Sequence, residues 1–279
     1  MNENPAGEPI SQLQSQGNLR MKVEARKIVK KMKGGSGSYL MECDDDRSYV
    51  VKFKDGSKNV VSEFIGGELA NALQLPAQSH AIVEVGQELI ETIPDHKQRG
   101  ITGTVHHGTL FNENALDLDS RNLTTSATIL NAGNIPGVVT FDNLTQNNDR
   151  NNAGNNLFVE VAPGTYSYVM CDYNCMFNGS GWSTATLTAS VSNINLMPVH
   201  PILATAIAGL APFDLAFDRI TKLSTSTIHS IIETIPSTWS VTRDEQDTLV
   251  GFLESRKKLV PQIILANKSA FPKWGSNVV

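Results

Sequence analysis

The stretch "NNDRNNAGNNLFVEV", residues 147–161, decides how this chain is read. Asparagine and aspartate crowd its first ten positions, and an apolar run, Leu157-Phe158-Val159, follows directly. Short polar side chains of this kind bond their own backbone and so favour turns. The alternative is a cluster of oxygen ligands, with Asp149, Asn152, Asn155 and Asn156 held at the mouth of a strand. Each of these residues taken singly is a turn residue or a cap. What flanks the stretch decides between the two readings.

Downstream, "NLFVEV" (156–161) and "YSYVMCD" (166–172) read as strands, and "APGT" (162–165) joins them as a hairpin. Asp172 closes the second strand. An Asp in the loop, an Asn before the first strand and an Asp at the end of the second converge on one point. Magnesium takes hard oxygen ligands, usually one or two carboxylates completed by phosphate oxygens and water. The set therefore has metal–phosphate geometry.

Upstream, Met21, Val23, Ala25 and Ile28 suggest a strand over 21–31, and "GGSGS" (34–38) a tight glycine turn. "YLMEC" leads to the acidic turn "DDDR", and "SYVVKFK" (48–54) alternates as a strand, so the three form an antiparallel meander. A glycine turn can lay backbone N–H groups over phosphate oxygens. This one is not a P-loop, because no G-K-[ST] follows, and Ser36 lacks the second glycine of a nucleophile elbow. Lys52 lies mid-strand in "YVVKF". A helix over roughly 60–74 follows, with Val61, Phe64, Ile65, Leu69, Ala72 and Leu73 at helical spacing. Glu63 falls in its first turns, and Glu68 is the competing acid. A Lys–Glu ion pair there would hold the lysine for phosphate.

"SHAIVEV" (79–85) reads as another strand, and residues 137–144 as the end of a helix. The chain after about 185 is mostly helical. "TRDE" (242–245) forms a capping box, and Pro261 is expected to kink or divide the helix it starts. The apolar stretch "PILATAIAGLAPF" (201–213) reads as a buried helix, too short to span a bilayer. A β-rich first half with one helix and a helical second half imply two lobes and a cleft.

Composition narrows the function classes. A net charge of -5 and a pI near 5.7 argue against broad nucleic-acid binding. The exception is "RMKVEARKIVKKMK" (20–33), which carries seven Lys or Arg; it is a solvated face or the rim of an anion site. Cys43, Cys171 and Cys175 make no disulfide framework, and the C-x3-C pair lacks the further ligands of a zinc site. The N-terminus shows no basic-then-apolar signal pattern, so a cytoplasmic protein is expected.

The ordered set of glycine turn, Lys, Glu, Asp, Asn and Asp resembles the protein-kinase-like superfamily, and more closely the HipA-like kinases. The resemblance is carried by "GGSGSYLMECDDDRSYVVKFK", "SEFIGGELANALQLPAQ", "FDNLTQNNDRNNAGNNLFV" and "YVMCDYNCMFNGSGW", and later by "IIETIPSTWSVT" and "LVGFLESRKKLVPQII". It covers about residues 22–268. It implies an α+β, bilobal protein-kinase-like fold with a β-rich N-lobe and a mainly helical C-lobe: a flexible tail over 1–20, the N-lobe over 21–110 and the C-lobe over 111–279. It implies an ATP- and Mg2+-dependent kinase that transfers the γ-phosphoryl group to a hydroxyl, a protein Ser/Thr by the family's habit.

Under that resemblance, Gly35, Ser36, Gly37 and Ser38 would cover the phosphates, Lys52 would contact them, and Glu63 would pair Lys52. Asp149 would be the catalytic aspartate. Asn156 would be the metal-binding asparagine, with Asn155 its rival, and Asp172 the main magnesium carboxylate. Residues 105–111, "VHHGTLF", would form the linker facing adenine. A protein substrate and an antitoxin-like regulatory partner are implied, with no membrane and no direct nucleic-acid contact. Asp149 lies seven residues before Asn156, and no glycine follows Asp172-Tyr173. A nucleotide-binding or docking module with weak or no transfer, and a small-molecule kinase, are therefore the competing classes.

Overall fold

The computed structural model describes residues 21–33, 37–94, 96–117 and 128–276. The expected tail over 1–20, and Gly35 and Ser36 of the glycine turn, lie outside the described residues. Strands β1 (Lys22–Lys31), β2 (Tyr39–Cys43) and β3 (Ser48–Lys52) form the antiparallel meander that their alternation predicts. Val23, Ala25, Tyr39, Met41, Tyr49 and Val51 all fall on one face and share one buried cluster. Helix α1 (Asn59–Ala72) buries Val61, Phe64, Ile65 and Leu69 on the stripe its periodicity marks.

Strand β4 (His80–Val85), the short helix α2 (Gln87–Glu91) and strand β5 (Val105–Leu110) complete this part. The meander does not stay open. Strand β4 runs parallel to β1 and pairs with it, so the order β1-β2-β3-β5-β4 closes into a barrel. Closure leaves the sheet no free edge. The expected linker over 105–111 is corrected by β5, which is hydrogen-bonded to both β3 and β4 as far as Leu110.

The second part opens with a ribbon of β6 (Ala115–Asp117), β7 (Thr128–Ile129), then helix α3 (Ile135–Thr145), β8 (Asn156–Ala162) and β9 (Thr165–Met170). Its strands lie in the order β6-β8-β9-β7. Every residue of α3 is buried. Then come α4 (Thr184–Ser190), α5 (Pro201–Ala206), β10 (Ala208–Gly209), α6 (Asp214–Lys222), α7 (Thr225–Glu233), α8 (Arg243–Ala266) and β11 (Lys273–Trp274). Thr242 and Glu245 form the capping box that starts α8. Pro261 does not divide α8, which runs unbroken to Ala266. Its ring removes one backbone bond, while buried Val260, Ile263 and Ile264 keep that turn on the core. The expected helix over 201–213 is also corrected. Only 201–206 is helical, Gly209 takes φ +105, and Ala208–Gly209 pairs in parallel with β11. Among the described residues no helix is long and apolar enough to cross a membrane.

Polar contacts join α1 to the helical part. Lys58, at the head of α1, lies 2.8 Å from Glu245 and 5.1 Å from the centre of the Trp182 ring. Trp182 Nε1 donates to Ser62 Oγ (3.2 Å), and Trp239 Nε1 donates to the Val105 carbonyl (2.8 Å) while its ring meets Phe64 edge-on. Each of these indoles is buried with its one donor satisfied.

Adjacent His106 and His107 point to opposite faces of β5, and both are buried. The Lys54 backbone N–H donates to His106 Nδ1 (3.0 Å), and His107 stacks on His80. Burial lowers His106 to about 4; burial, then His80 and Lys52, hold His107 well below the ordinary histidine value. The unfolded chain takes protons near pH 6.5 that the folded chain refuses, so stability falls as pH drops below that value. Urea unfolding at pH 7 and pH 5 is expected to show a loss of about 2 kcal/mol for each of these histidines. His106→Gln should remove its share of that pH dependence.

Candidate active site

The centre of the cleft is a lysine shared by two carboxylates. Strand β3 carries Lys52, the first turns of α1 carry Glu63, and the turn after β9 carries Asp172. Lys52 Nζ donates to Glu63 Oε1 (2.5 Å) and to Asp172 Oδ1 (2.8 Å). Glu68 is elsewhere, 3.8 Å from His80 Nε2. Asp172 adopts φ +58, a conformation that non-glycine residues seldom take. That turn is held by Tyr173, whose N–H donates to Glu63 Oε1 (3.1 Å) and whose ring lies on Gly66. A Cβ on Gly66 would come within 2.3 Å of the Tyr173 ring, so the first glycine of "IGGE" lets the turn approach α1.

Burial works against the Lys52 ammonium, but Glu63 and then Asp172 outweigh it and hold Lys52 above the ordinary lysine range. Glu63 is pushed up to about 7 by burial, against the pull of Lys52. Asp172 is also desolvated, yet Lys52 keeps it below the ordinary carboxylate value. With both acids ionised, one ammonium faces two carboxylates. The cluster then carries one net negative charge that a cation would offset.

The loop after α3 stands on a buried ion pair. Arg150 is fully buried, and its Nε donates to Asp142 Oδ2 (3.1 Å) in α3. Its Nη1 donates to the Asn155 carbonyl (2.5 Å) and the Cys171 carbonyl (2.8 Å). Asn147 Nδ2 bonds the other Asp142 oxygen (2.9 Å). Burial opposes the guanidinium charge, but Asp142 more than compensates and holds Arg150 above its ordinary value. This arginine therefore fixes both ends of the loop to the residue before Asp172. Sequence reasoning passed over Arg150 and Asp142. The signal was there: a charge at 142 inside the apolar run "GVVTFDNL" needs a buried partner.

Asp149, at the tip of this loop, is partly exposed. Asn155 Nδ2 donates to Asp149 Oδ2 (2.7 Å) and to its carbonyl (3.0 Å). The Cys175 thiol reaches the same carboxylate oxygen at 3.7 Å; burial, then Asp149, raise it to about 11, so it stays a donor. Asn156, expected as the metal-facing amide, turns inward instead. Its Nδ2 donates to the Arg150 (3.0 Å) and Asn152 (2.9 Å) carbonyls, and Tyr168 OH donates to its Oδ1 (3.0 Å). The cause is strand alternation: Asn156 and Phe158 enter the core, while Leu157 and Val159 face out. Leu157 and Val159 line a cavity of about 190 Å³ with Leu110, Asn112 and Val169. Asn155 ends the short helical turn before β8 and is buried beside Asp149. Of the glycine-turn residues, Gly37 takes φ +61 and Ser38 is buried.

A family model described as HipA-like kinase matches residues 25–262. No curated protein sequence matches the chain. Among solved structures, the Helicobacter pylori proinflammatory kinase CtkA is similar at a TM-score of 0.57 and 16% identity, over 87% of this chain and 94% of that one. HipA of Shewanella oneidensis, in a complex with HipB and operator DNA, aligns at 0.42 and 11% identity, over 85% of this chain and 66% of that one. The Golgi casein kinase with Mn/ADP bound aligns at 0.47 and 12% identity, over 89% and 73%. The first likeness shows the fold; the other two are too distant to carry an argument. The α+β, bilobal protein-kinase-like architecture expected from the sequence is the one observed.

Removing one member of a buried ion pair strands the other, which costs about 3–5 kcal/mol. Asp142→Asn should lose that much stability in chemical denaturation. Asp149→Asn, at the partly exposed tip of the same loop, should change stability by less than about 1 kcal/mol.

Proposed function

The chain belongs to the HipA-like kinase family, a family of phosphotransferases, and on that premise we propose that it transfers the γ-phosphoryl group of ATP, with Mg2+, to a hydroxyl group. The acceptor class we infer is a protein serine or threonine, acted on in the cytoplasm and regulated by an antitoxin-like partner; the family alone supports these finer points. The observation that carries the reading is Lys52 held between Glu63 and Asp172.

The donor set fits a hard divalent cation. It offers carboxylate and amide oxygens, and the ionised lysine cluster is one positive charge short of neutral. Among the described residues, no three His, Cys, Asp or Glu side chains gather into a cage, so phosphate oxygens and water would complete the coordination. When bound, the cation would supply charge neutralisation on the transferring phosphoryl group. Asp172 is the carboxylate we assign to it. Of the two asparagines, the geometry favours Asn155, because Asn156 has both ends of its amide engaged in the interior.

The chain's own residues do the rest. Lys52 binds phosphate oxygens, and Glu63 orients it. Backbone N–H groups over Gly35, Ser36, Gly37 and Ser38 cover the phosphates. Asp149 orients the acceptor hydroxyl and takes its proton at a carboxylate oxygen; Asn155 and Cys175 fix that carboxylate from the side. Positioning and charge stabilisation supply most of the acceleration.

Transfer of labelled phosphate from ATP, to the chain itself or to a protein acceptor, tests the reading. Asp149→Ala is expected to reduce transfer about 10²- to 10⁴-fold while leaving ATP binding intact. Asp172→Asn should abolish the extra thermal stabilisation that Mg2+ adds to ATP. Asn155→Ala should impair transfer while melting near the wild-type temperature, whereas Asn156→Ala should chiefly lower the melting temperature. ATP binding without transfer to any acceptor would reduce the protein to a nucleotide-binding module and sink the proposal.

A further inference from the structure

Arg99 lies outside the lysine cluster and the loop, yet it is built against both the glycine turn and the strand that carries Lys52. It sits in the turn between α2 and β5. That turn follows the chain leaving β3: Thr102 N–H donates to the Lys54 carbonyl (2.8 Å). From there the guanidinium extends over the Phe53 ring, 5.6 Å from its centre, and reaches Gly37. A Cβ on Gly37 would stand 2.6 Å from Arg99 Nη2 and 2.8 Å from Cζ. The φ of +61 favours glycine at 37, and a Cβ there would push the guanidinium aside.

Stability does not account for this arginine. Among the described residues no carboxylate pairs with it, and its Nη1 is buried with no hydrogen-bond partner. A buried, unpaired guanidinium N–H counts against folding. The neighbours are ordered around it instead. Phe53 directly follows Lys52, and its ring meets Tyr39, at the start of β2, and His106 edge-on. Arg99 thus touches the two backbone segments that, under the ATP-binding reading, face the phosphates.

We propose that Arg99 is a positioning residue for the nucleotide's phosphates. Its guanidinium backs Gly37, fixes the height of the chain there beside Lys52, and places behind that backbone a positive charge that no carboxylate pairs among the described residues. It acts through Gly37 and touches no reacting atom. The inference rests on the ATP-binding reading and adds to it a residue from a segment outside the family's quoted motifs. Lysine cannot substitute fully, because a point charge on a flexible stem does not lie flat across Phe53 and Gly37.

The test compares Arg99→Gln, Arg99→Lys and Gly37→Ala in the full chain, with binding of ATP plus Mg2+, binding of adenosine, KM, kcat and melting temperature as readouts. Arg99→Gln is expected to raise Kd and KM for ATP about tenfold, through the loss of its charge and of the support it gives Gly37. Adenosine affinity and kcat should stay within about twofold, and Arg99→Lys should recover only part of the loss. Gly37→Ala should weaken ATP more than adenosine as well, and adding it to Arg99→Gln should cost less than it costs alone. Equal weakening of ATP and adenosine, or unchanged ATP binding in Arg99→Gln, overturns the proposal. A wild-type protein that binds no ATP overturns the underlying reading instead, and this inference with it.

Discussion

One buried arginine organises the chemistry of this fold. Arg150 has no contact with water, and each of its bonds reaches a different part of the site: α3 through Asp142, the end of the loop through Asn155, and the strand before Asp172 through Cys171. A guanidinium suits this task because its planar fork holds several acceptors at fixed angles. Its desolvation is costly, and only the full set of partners makes the position tolerable. Asp149 and Asp172 are far apart in sequence, yet both hang from carbonyls or neighbours of this one side chain.

A second constraint holds Glu63. Helix α1 is not a lever free to swing away from the cleft. Lys58 is pinned by Glu245, Ser62 by Trp182, Phe64 by Trp239, and Gly66 by Tyr173. These contacts follow one another along the first turns of the helix, on more than one of its faces. They hold the helix where Glu63 meets Lys52.

Much of this could be read from the residues. Strict alternation in "SYVVK" and the spacing of Val61, Phe64, Ile65 and Leu69 announce their elements, because each depends on a local period of two or 3.6. Thr242 and Glu245 announce a helix start for the same reason. What escaped the sequence depends on long-range pairing. Closure of the barrel needs β4 to find β1, some sixty residues earlier, in a parallel register that no local pattern encodes. The inward turn of Asn156 depends on which face of β8 meets Tyr168, and a shift of one residue would reverse it. Arg256 shares the helical spacing of Leu249, Phe252 and Leu253, and its guanidinium is buried against the Asn143 and Val191 carbonyls, acceptors more than sixty residues away that no local pattern names. The apolar run over 201–213 looked like one helix because hydrophobicity was continuous, but Gly209 and the pairing with β11 take the chain elsewhere.

Glu245 holds two positions at once. It closes the capping box of α8 with Thr242, and it receives Lys58 from the head of α1. Elements near opposite ends of the described chain therefore share a single carboxylate. Fraying of the first turn of α8 therefore loosens Lys58 as well, so the start of the last long helix is coupled to the head of the helix that presents Glu63.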